Sequence, residues 1–378
     1  MHILQHLREE GRAEEVAEKH KRVRAFLQTH GLDGLLLTRR DNFAWFTGGG
    51  DNHIPSSQEA GVATLWITHD RTVLLTSNIE AARVMEEELS GVIDACETWG
   101  WYEDADAFIR QRIAGQRTVS DTGIAGTENR ADAIKQLRYV LTENEQRHLA
   151  RLGRVFGEAL EWAARSVRVG DTEHEIGARL AQRLLAVGVE PTVNLVAVDE
   201  RIFRYRHPIP TAKRLERYAM LVGCARSGGL IVAATRLVHF GPVPQGVAER
   251  YAALLKVEAA LHAETKIGRS AADVLNKAIA AYERVGFKDE WKDHHQGGAI
   301  GYDNREWVAT PHETEMIREN QAFAWNPSIR GTKVEDTTLL TADGLKFLTA
   351  TDDWPSTAVS IGDTRVARPA ILVRHCYF

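Results

Sequence analysis

Thr142 and Glu145 stand three residues apart just before an apolar run at helical spacing, Leu149, Leu152, Phe156 and Leu160. That is the reciprocal capping pattern that opens a long amphipathic helix, and the texture of the chain changes there. Before it, strand and helix patterns alternate. Val16, Val23, Phe26 and Leu27 share a helical face, Leu35, Leu36, Leu37 and Thr38 form a short buried strand, and residues 62–68 and 72–75 flank His69, Asp70 and Arg71 as a hairpin. Helical patterns at residues 80–89, 105–113 and 129–138 complete a small α/β domain, placed at residues 1–140. Residues 47–60 form a Gly, Asn, Pro and Ser loop of a length that often carries function.

After the boundary, Thr172 and Glu175 open a second capped helix with Ile176, Leu180, Leu184 and Val187 inward. Strands are expected at 193–198, 218–224, 230–234, 322–325 and 333–340, and helices at 245–264 and 270–285. These elements follow one another without a βαβ rhythm, so residues 141–378 read as an α+β domain. The 378-residue length suits two cores better than one. Residues after Trp354 give no readable pattern.

Composition narrows the function classes. A hydrophobic share of 44% with 26% charged residues is that of a soluble globular protein. A net charge of −5 supplies no basic face for nucleic acid. Cys96, Cys224 and Cys376 are far apart and lack C-x-x-C spacing, which argues against a disulfide framework or a cysteine zinc site and for a reduced cytoplasm. No apolar run has the length of a signal peptide or a membrane span, so neither export nor insertion is expected.

Residues 293–307 are the densest candidate for a site wall. They hold His294, His295, Gly297, Gly298, Gly301, Tyr302, Arg305 and Glu306 between apolar segments. Glycine allows close backbone approach to a ligand, and imidazole donates, accepts or ligates near neutral pH. No strand-to-helix unit surrounds these glycines, so they are not a dinucleotide fingerprint. Other polar clusters are Arg204, Tyr205, Arg206 and His207 before Pro208, Asn326 before Pro327, and Lys333, Glu335 and Asp336. Strand alternation puts Lys333 and Glu335 on one face, and the same rule favours His295 over His294 as the site residue. Trp99 and Trp101 are expected to pack, and Cys224 to be inert core.

On these residues the chain from about Thr142 to Asp343 resembles the pita-bread superfamily of creatinase, aminopeptidase P, prolidase and methionine aminopeptidase. The first domain resembles the creatinase-type N-terminal domain. In the metallopeptidases of that family five ligands hold two metal ions. Residues 221–236 align without gaps to the two strands that carry aspartate ligands, keeping Ala225, Thr235 and Arg236, but Val222 and Ala233 occupy the aspartate positions. His295 matches the ligand histidine, Asn326 replaces a glutamate, and Glu335 matches the last glutamate. Two divalent ions close together need bridging carboxylates, so no dinuclear metal site and no cofactor are expected. A lone ion on His295 and Glu335 would fall short of the usual three ligands.

Creatinase and the similar ectoine hydrolase cleave a C–N bond with side chains alone, which implies a metal-independent hydrolase of a small amidine, amide or amino-acid derivative. The resemblance places His207 at creatinase's catalytic histidine, able to take a proton from water and pass it to the leaving nitrogen, with His295 and Glu335 beside it. Glu335 would hold a cationic group of the substrate. Arg204, Arg206, Tyr302, Arg305, Glu306, Asn326 and Lys333 would bind the remainder, and the excess of arginine points to a substrate carboxylate. The family implies a homodimer in which a loop of one subunit, here Asn52, His53, Ser57 and Glu59, reaches the site of the other. Two other readings stand beside this one: an Xaa-Pro aminopeptidase or dipeptidase-like metallopeptidase with a degenerate site, and a non-catalytic binding module.

Overall fold

A computed structural model describes residues 11–375, so Cys376 lies outside the described residues. The chain divides into two compact units. Among the described residues, one takes in residues 11–145 together with Gly228–Leu230, and the other comprises Gln146–Ser227 and residues 231–375.

The N-terminal unit opens with α1 (Arg12–His30), which buries Val23, Phe26 and Leu27 and stops at Gly31, whose φ of 60° is left-handed. Then follow β1 (Gly34–Arg39), α2 (Arg40–Phe46), β2 (Ala60–Thr68), β3 (Thr72–Ser77), β4 (Ala95–Trp99), α3 (Ala105–Arg112), β5 (Thr118–Ser120) and β6 (Glu128–Asn129). The strands form one sheet in the order β4-β3-β2-β1-β5-β6. β1 is interior, antiparallel to β2 and parallel to β5, which is why Leu35, Leu36 and Leu37 read as an unbroken apolar run. The β2–β3 hairpin pairs Trp66 with Val73, as its alternation requires. Trp99 packs against the core of this unit, whereas Trp101 is 65% exposed and does not pack as expected.

The loop after α2 corrects one expectation. Asn52 is fully buried, and its Nδ2 donates to the carbonyls of Thr38 at 3.0 Å and Ala63 at 2.7 Å. It therefore ties the loop to its own sheet and is covered within its own unit. His53 is half-buried, with Nδ1 2.6 Å from the Asp51 carboxylate, while Ser57 and Glu59 are exposed.

The C-terminal unit is built from α4 (Glu143–Ser166), α5 (Glu173–Leu185), β7 (Glu190–Val198), α6 (Glu200–Arg204), β8 (Tyr218–Ser227), β9 (Leu230–Phe240), α7 (Gln245–Glu264), α8 (Ala271–Arg284), β10 (Gly297–Ile300), β11 (Trp307–Val308), β12 (Gln321–Trp325), β13 (Ser328–Ile329), β14 (Thr332–Lys333), β15 (Asp336–Thr341) and β16 (Gly344–Phe347). Both capping patterns are realised. Thr142 N donates to Glu145 at 2.6 Å and Glu145 N to Thr142 at 3.3 Å, and Thr172 with Glu175 closes the same reciprocal box on α5. The main sheet runs β11-β10-β12-β15-β9-β8-β7, with β16 added on β15.

The strand expected at 333–340 is interrupted. β14 folds back on β13 as a separate hairpin, and only from Asp336 does the chain enter the main sheet beside β12. Val334 and Glu335 bridge the two. The tail after Trp354 forms a hairpin of β17 (Ser356–Ile361) and β18 (Thr364–Pro369), then β19 (Leu372–Arg374), which joins β9 in parallel. Arg368 on β18 is fully buried, donating to Glu258 of α7 at 3.0 Å and to Asp336 at 2.8 Å. Asp336 also accepts from Arg236 at 3.0 Å, and Arg236 in turn reaches Glu161 at 3.0 Å. Among the described residues no helix is long and apolar enough to cross a membrane.

Candidate active site

The break between β14 and β15 sets the first half of the site. Lys333 at the end of β14 and Glu335 on the bridging segment lie two residues apart, and their side chains meet at 3.3 Å. Glu335 is 1% exposed. Its Oε1 accepts from Arg305 Nη2 at 3.1 Å, and its Oε2 accepts from Thr235 Oγ1 at 3.1 Å. Burial alone would push this carboxyl up, but Lys333 and Arg305 outweigh it and hold it below the usual carboxylate range, so Glu335 is ionised at neutral pH. One anion between two cations leaves net positive charge. The expectation that Glu335 holds a cationic substrate group does not survive this geometry, because both of its oxygens already accept donors from the chain.

The second half comes from the turn at Glu290–Asp293, which delivers His294 in an extended conformation with φ −158° and ψ 140°. β10 begins only at Gly297, so the histidine doublet precedes the strand and strand alternation does not apply to it. The rings of His294 and His295 stack at 4.6 Å, and both face His207, with centroids at 5.0 and 5.7 Å. His294 Nε2 lies 3.2 Å from His207 Nε2. These two nitrogens share a single proton, so one ring donates and the other accepts. His294, ranked behind His295 by the strand rule, thus belongs to the cluster as fully as its neighbour. The doublet itself was the available signal.

Electrostatics joins the two halves. Burial, then the positive charge of Lys333, lowers His207; Glu335 opposes the shift and Arg305 adds to it. Burial followed by Arg305 and Lys333 pushes His295 down to about 4, and burial with Lys333 drives His294 lower still. All three imidazoles are neutral at pH 7. Cys224, on β8, feels the same charges, and burial with Glu335 pushes its thiol up to about 12, which leaves it inert as expected.

The other expected residues divide. Arg206 is committed to Glu290 at 2.5 Å, with Asp293 at 3.7 Å, so it fastens the His207 loop to the turn that carries His294 and is not free for substrate. Arg204 is exposed at the end of α6, and among the described residues no hydrogen bond or ion pair ties it to the cluster. Glu306 is buried and accepts from the backbone of Tyr302 at 2.8 Å and of Asp303 at 3.3 Å, so it shapes the β10–β11 connection; Tyr302 is itself buried. Asn326 is 2% exposed, and its Oδ1 has no partner among the described residues, as is also true of Arg305 Nε and of Nδ1 in His294 and His295. The glycines serve strand packing: a Cβ would lie 2.1 Å from Ala324 O at Gly297 and 2.0 Å from Trp307 O at Gly298. Thr235, which holds Glu335 from β9, carried no sequence signal beyond its alignment.

Residues 147–364 match the pattern of metallopeptidase family M24, and residues 19–156 match the creatinase/prolidase N-terminal domain. The chain belongs to metallopeptidase family M24. It is similar to the Xaa-Pro dipeptidase of Pyrococcus horikoshii, 22% identical over 353 residues that span 89% of this chain and 97% of that protein. The Xaa-Pro dipeptidase of Pyrococcus furiosus is 21% identical, over 89% of this chain and 98% of that protein. Among solved structures, the prolidase from Pyrococcus horikoshii OT3 matches with a TM-score of 0.76 at 20% identity, covering 89% of this chain and 99% of that one. The N-terminal domain of the FACT complex subunit SPT16 from Cicer arietinum matches with a TM-score of 0.67 at 13% identity, covering 92% and 97%. The fold is therefore the expected one, a creatinase-type N-terminal domain followed by a pita-bread domain of mixed helices and mainly antiparallel sheet.

The family's two-ion centre does not fit this donor set. Val222 and Ala233, buried at the positions aligned with aspartate ligands, offer no oxygen. Asn326 is a neutral amide, and the Glu335 carboxylate is already balanced by Lys333 and Arg305. Two divalent ions beside those cations would meet repulsion with a single carboxylate to offset it.

Proposed function

We propose that this chain hydrolyses a C–N bond in a small substrate carrying a carboxylate, without the dinuclear centre of its metallopeptidase relatives. The observation that carries the reading is the Lys333–Glu335–Arg305 group, in which two ammonium-type charges surround the one glutamate aligned with a metal ligand. Its surplus positive charge suits a substrate carboxylate, with Arg305 Nε as an unpartnered donor for it and Asn326 Oδ1 as an unpartnered acceptor for a substrate N–H. His207, neutral and partly exposed, takes the proton from an attacking water and returns it to the departing nitrogen. The water oxygen forms the new bond to carbon as the C–N bond breaks. His294 sets which nitrogen of His207 carries hydrogen.

The reading is tested by incubating purified protein with amidino, guanidino and N-acyl amino acids in excess chelator and following amine release. Turnover that survives chelation and is lost in His207→Ala supports it. The names of the Pyrococcus relatives favour a second reading, cleavage of Xaa-Pro dipeptides. Activity on those dipeptides that appears only with added manganese or cobalt would replace the first reading with the second.

A further inference from the structure

We infer that His207, His294 and His295 form a binding site for one late transition-metal ion of the zinc, cobalt, nickel or copper group. This site is distinct from the family's carboxylate centre. One ring nitrogen from each histidine can be chosen so that all three lie within 4.8 Å of one another. The Nε2 atoms of His207 and His294 are 3.2 Å apart. Metal–nitrogen bonds of about 2.0–2.1 Å in tetrahedral geometry separate neighbouring donors by roughly 3.3 Å. One edge of the triangle is therefore already at a bound separation, and the two edges to His295 close by about 1.5 Å at most, which takes rotation of the His295 ring together with that of His207 on its exposed loop.

A second observation points the same way. Nδ1 of His295 is buried with no hydrogen-bond partner among the described residues. A histidine retained only for packing or hydrogen bonding would have this nitrogen paired. The donor set selects the ion. Three imidazoles without thiolate or carboxylate suit zinc, nickel, copper or cobalt, and exclude magnesium and calcium, which take oxygen ligands. Three protein ligands leave the fourth position open. Only His295 stands at a position aligned with a family metal ligand, so the triad is a different site. Arg206 stabilises it from outside, because its pairing with Glu290 holds the His207 loop against the turn that carries the doublet.

An ion here would take the lone pair that the hydrolase reading gives to proton transfer, so metal on the triad describes a resting form; because the ion is detected without turnover, failure of one reading is told apart from failure of the other. Full-length protein stripped with chelator is titrated with cobalt, and the visible d–d absorption is recorded. The expected result is a tetrahedral- or five-coordinate-type band that saturates at one ion per chain and is displaced stoichiometrically by zinc. His207→Gln and His294→Gln should each weaken binding at least roughly 100-fold, because loss of a ligand costs more than loss of the partner that orients it, itself worth 10–100-fold. Circular dichroism confirms that each variant is folded, and His207, exposed on its loop, gives a substitution that the core tolerates. Two ions per chain, no band, or a band unchanged in the folded His207→Gln variant would overturn the assignment.

Discussion

Replacing Glu335 by Gln keeps the shape of the side chain and removes the anion that pairs with both Lys333 and Arg305. Lys333 is 4% exposed and Glu335 1%, so neither solvent nor salt can make up the loss. Removing one member of a buried ion pair costs about 3–5 kcal/mol, because the remaining charge is left uncompensated. Here two cations are left, which places the expected loss toward the upper end. Lys333→Met leaves Arg305 and Glu335 balanced one to one, and should cost less, about 1.5–3 kcal/mol, the worth of a charged hydrogen bond. The double variant leaves only Arg305 unbalanced, so the two losses should fall short of additivity by about 1–3 kcal/mol. Urea denaturation followed by far-UV circular dichroism measures all four proteins, read as midpoint shifts at constant slope. A Glu335→Gln loss below about 1 kcal/mol, or strict additivity in the double variant, would refute the account of Glu335 as the counter-ion that the site depends on.

Four further outcomes are expected. His207 titrates below its ordinary value through burial and Lys333, so the acidic limb of kcat/KM should lie below pH 6.5 and move upward in Lys333→Met, which a pH–rate profile reads directly. His295 binds a proton near 4 when folded and near 6.5 when unfolded, so stability attributable to it is present above pH 6.5 and is lost as pH falls toward 4, by up to about 3 kcal/mol; denaturation midpoints of His295→Gln should show a flatter slope over that interval. Asn52→Ala removes two buried hydrogen bonds and strands the carbonyls of Thr38 and Ala63, costing about 2–4 kcal/mol in thermal or urea unfolding. Arg368→Met leaves Glu258 and Asp336 short of a cation and should cost about 3–5 kcal/mol in the same assay.

Much of the fold was legible because local signals agree with burial. The helix expected at 245–264 is the helix observed, and the two Thr–Glu capping boxes start their helices as read. β8 and β9, covered on both faces, show up as long apolar runs. Within the site, Lys333 and Glu335 were expected on one face and their side chains meet, and the Arg206–His207 loop was found from its polar residues. What failed was reasoning that needed three dimensions. His294 was set aside by a strand rule that does not hold outside a strand. Arg206 and Glu306 looked like free polar groups, but their partners, Glu290 and the backbone at Tyr302, are visible only once the chain has folded. Asn52 sits in a loop of polar composition, yet its partners on β1 and β2 make it core. The tail was unreadable for the same reason: the partners of Arg368 lie 110 and 32 residues away in sequence.

Glu335 and Asp336 are chain neighbours that each sit between two basic groups, Lys333 and Arg305 for the first, Arg236 and Arg368 for the second. The dipeptide is clamped on either side of the strand, and one jaw of the rear clamp is supplied by the β17–β18 hairpin. During synthesis that jaw emerges after both acids. The backbone at Glu335 and Asp336 is already bonded to β9 and β12 by then, and residues 356–369 add the Arg368 half of the clamp on Asp336 over α7. A chain cut short ahead of the hairpin would carry the whole set of reactive side chains but leave Asp336, directly behind them, with Arg236 and without Arg368.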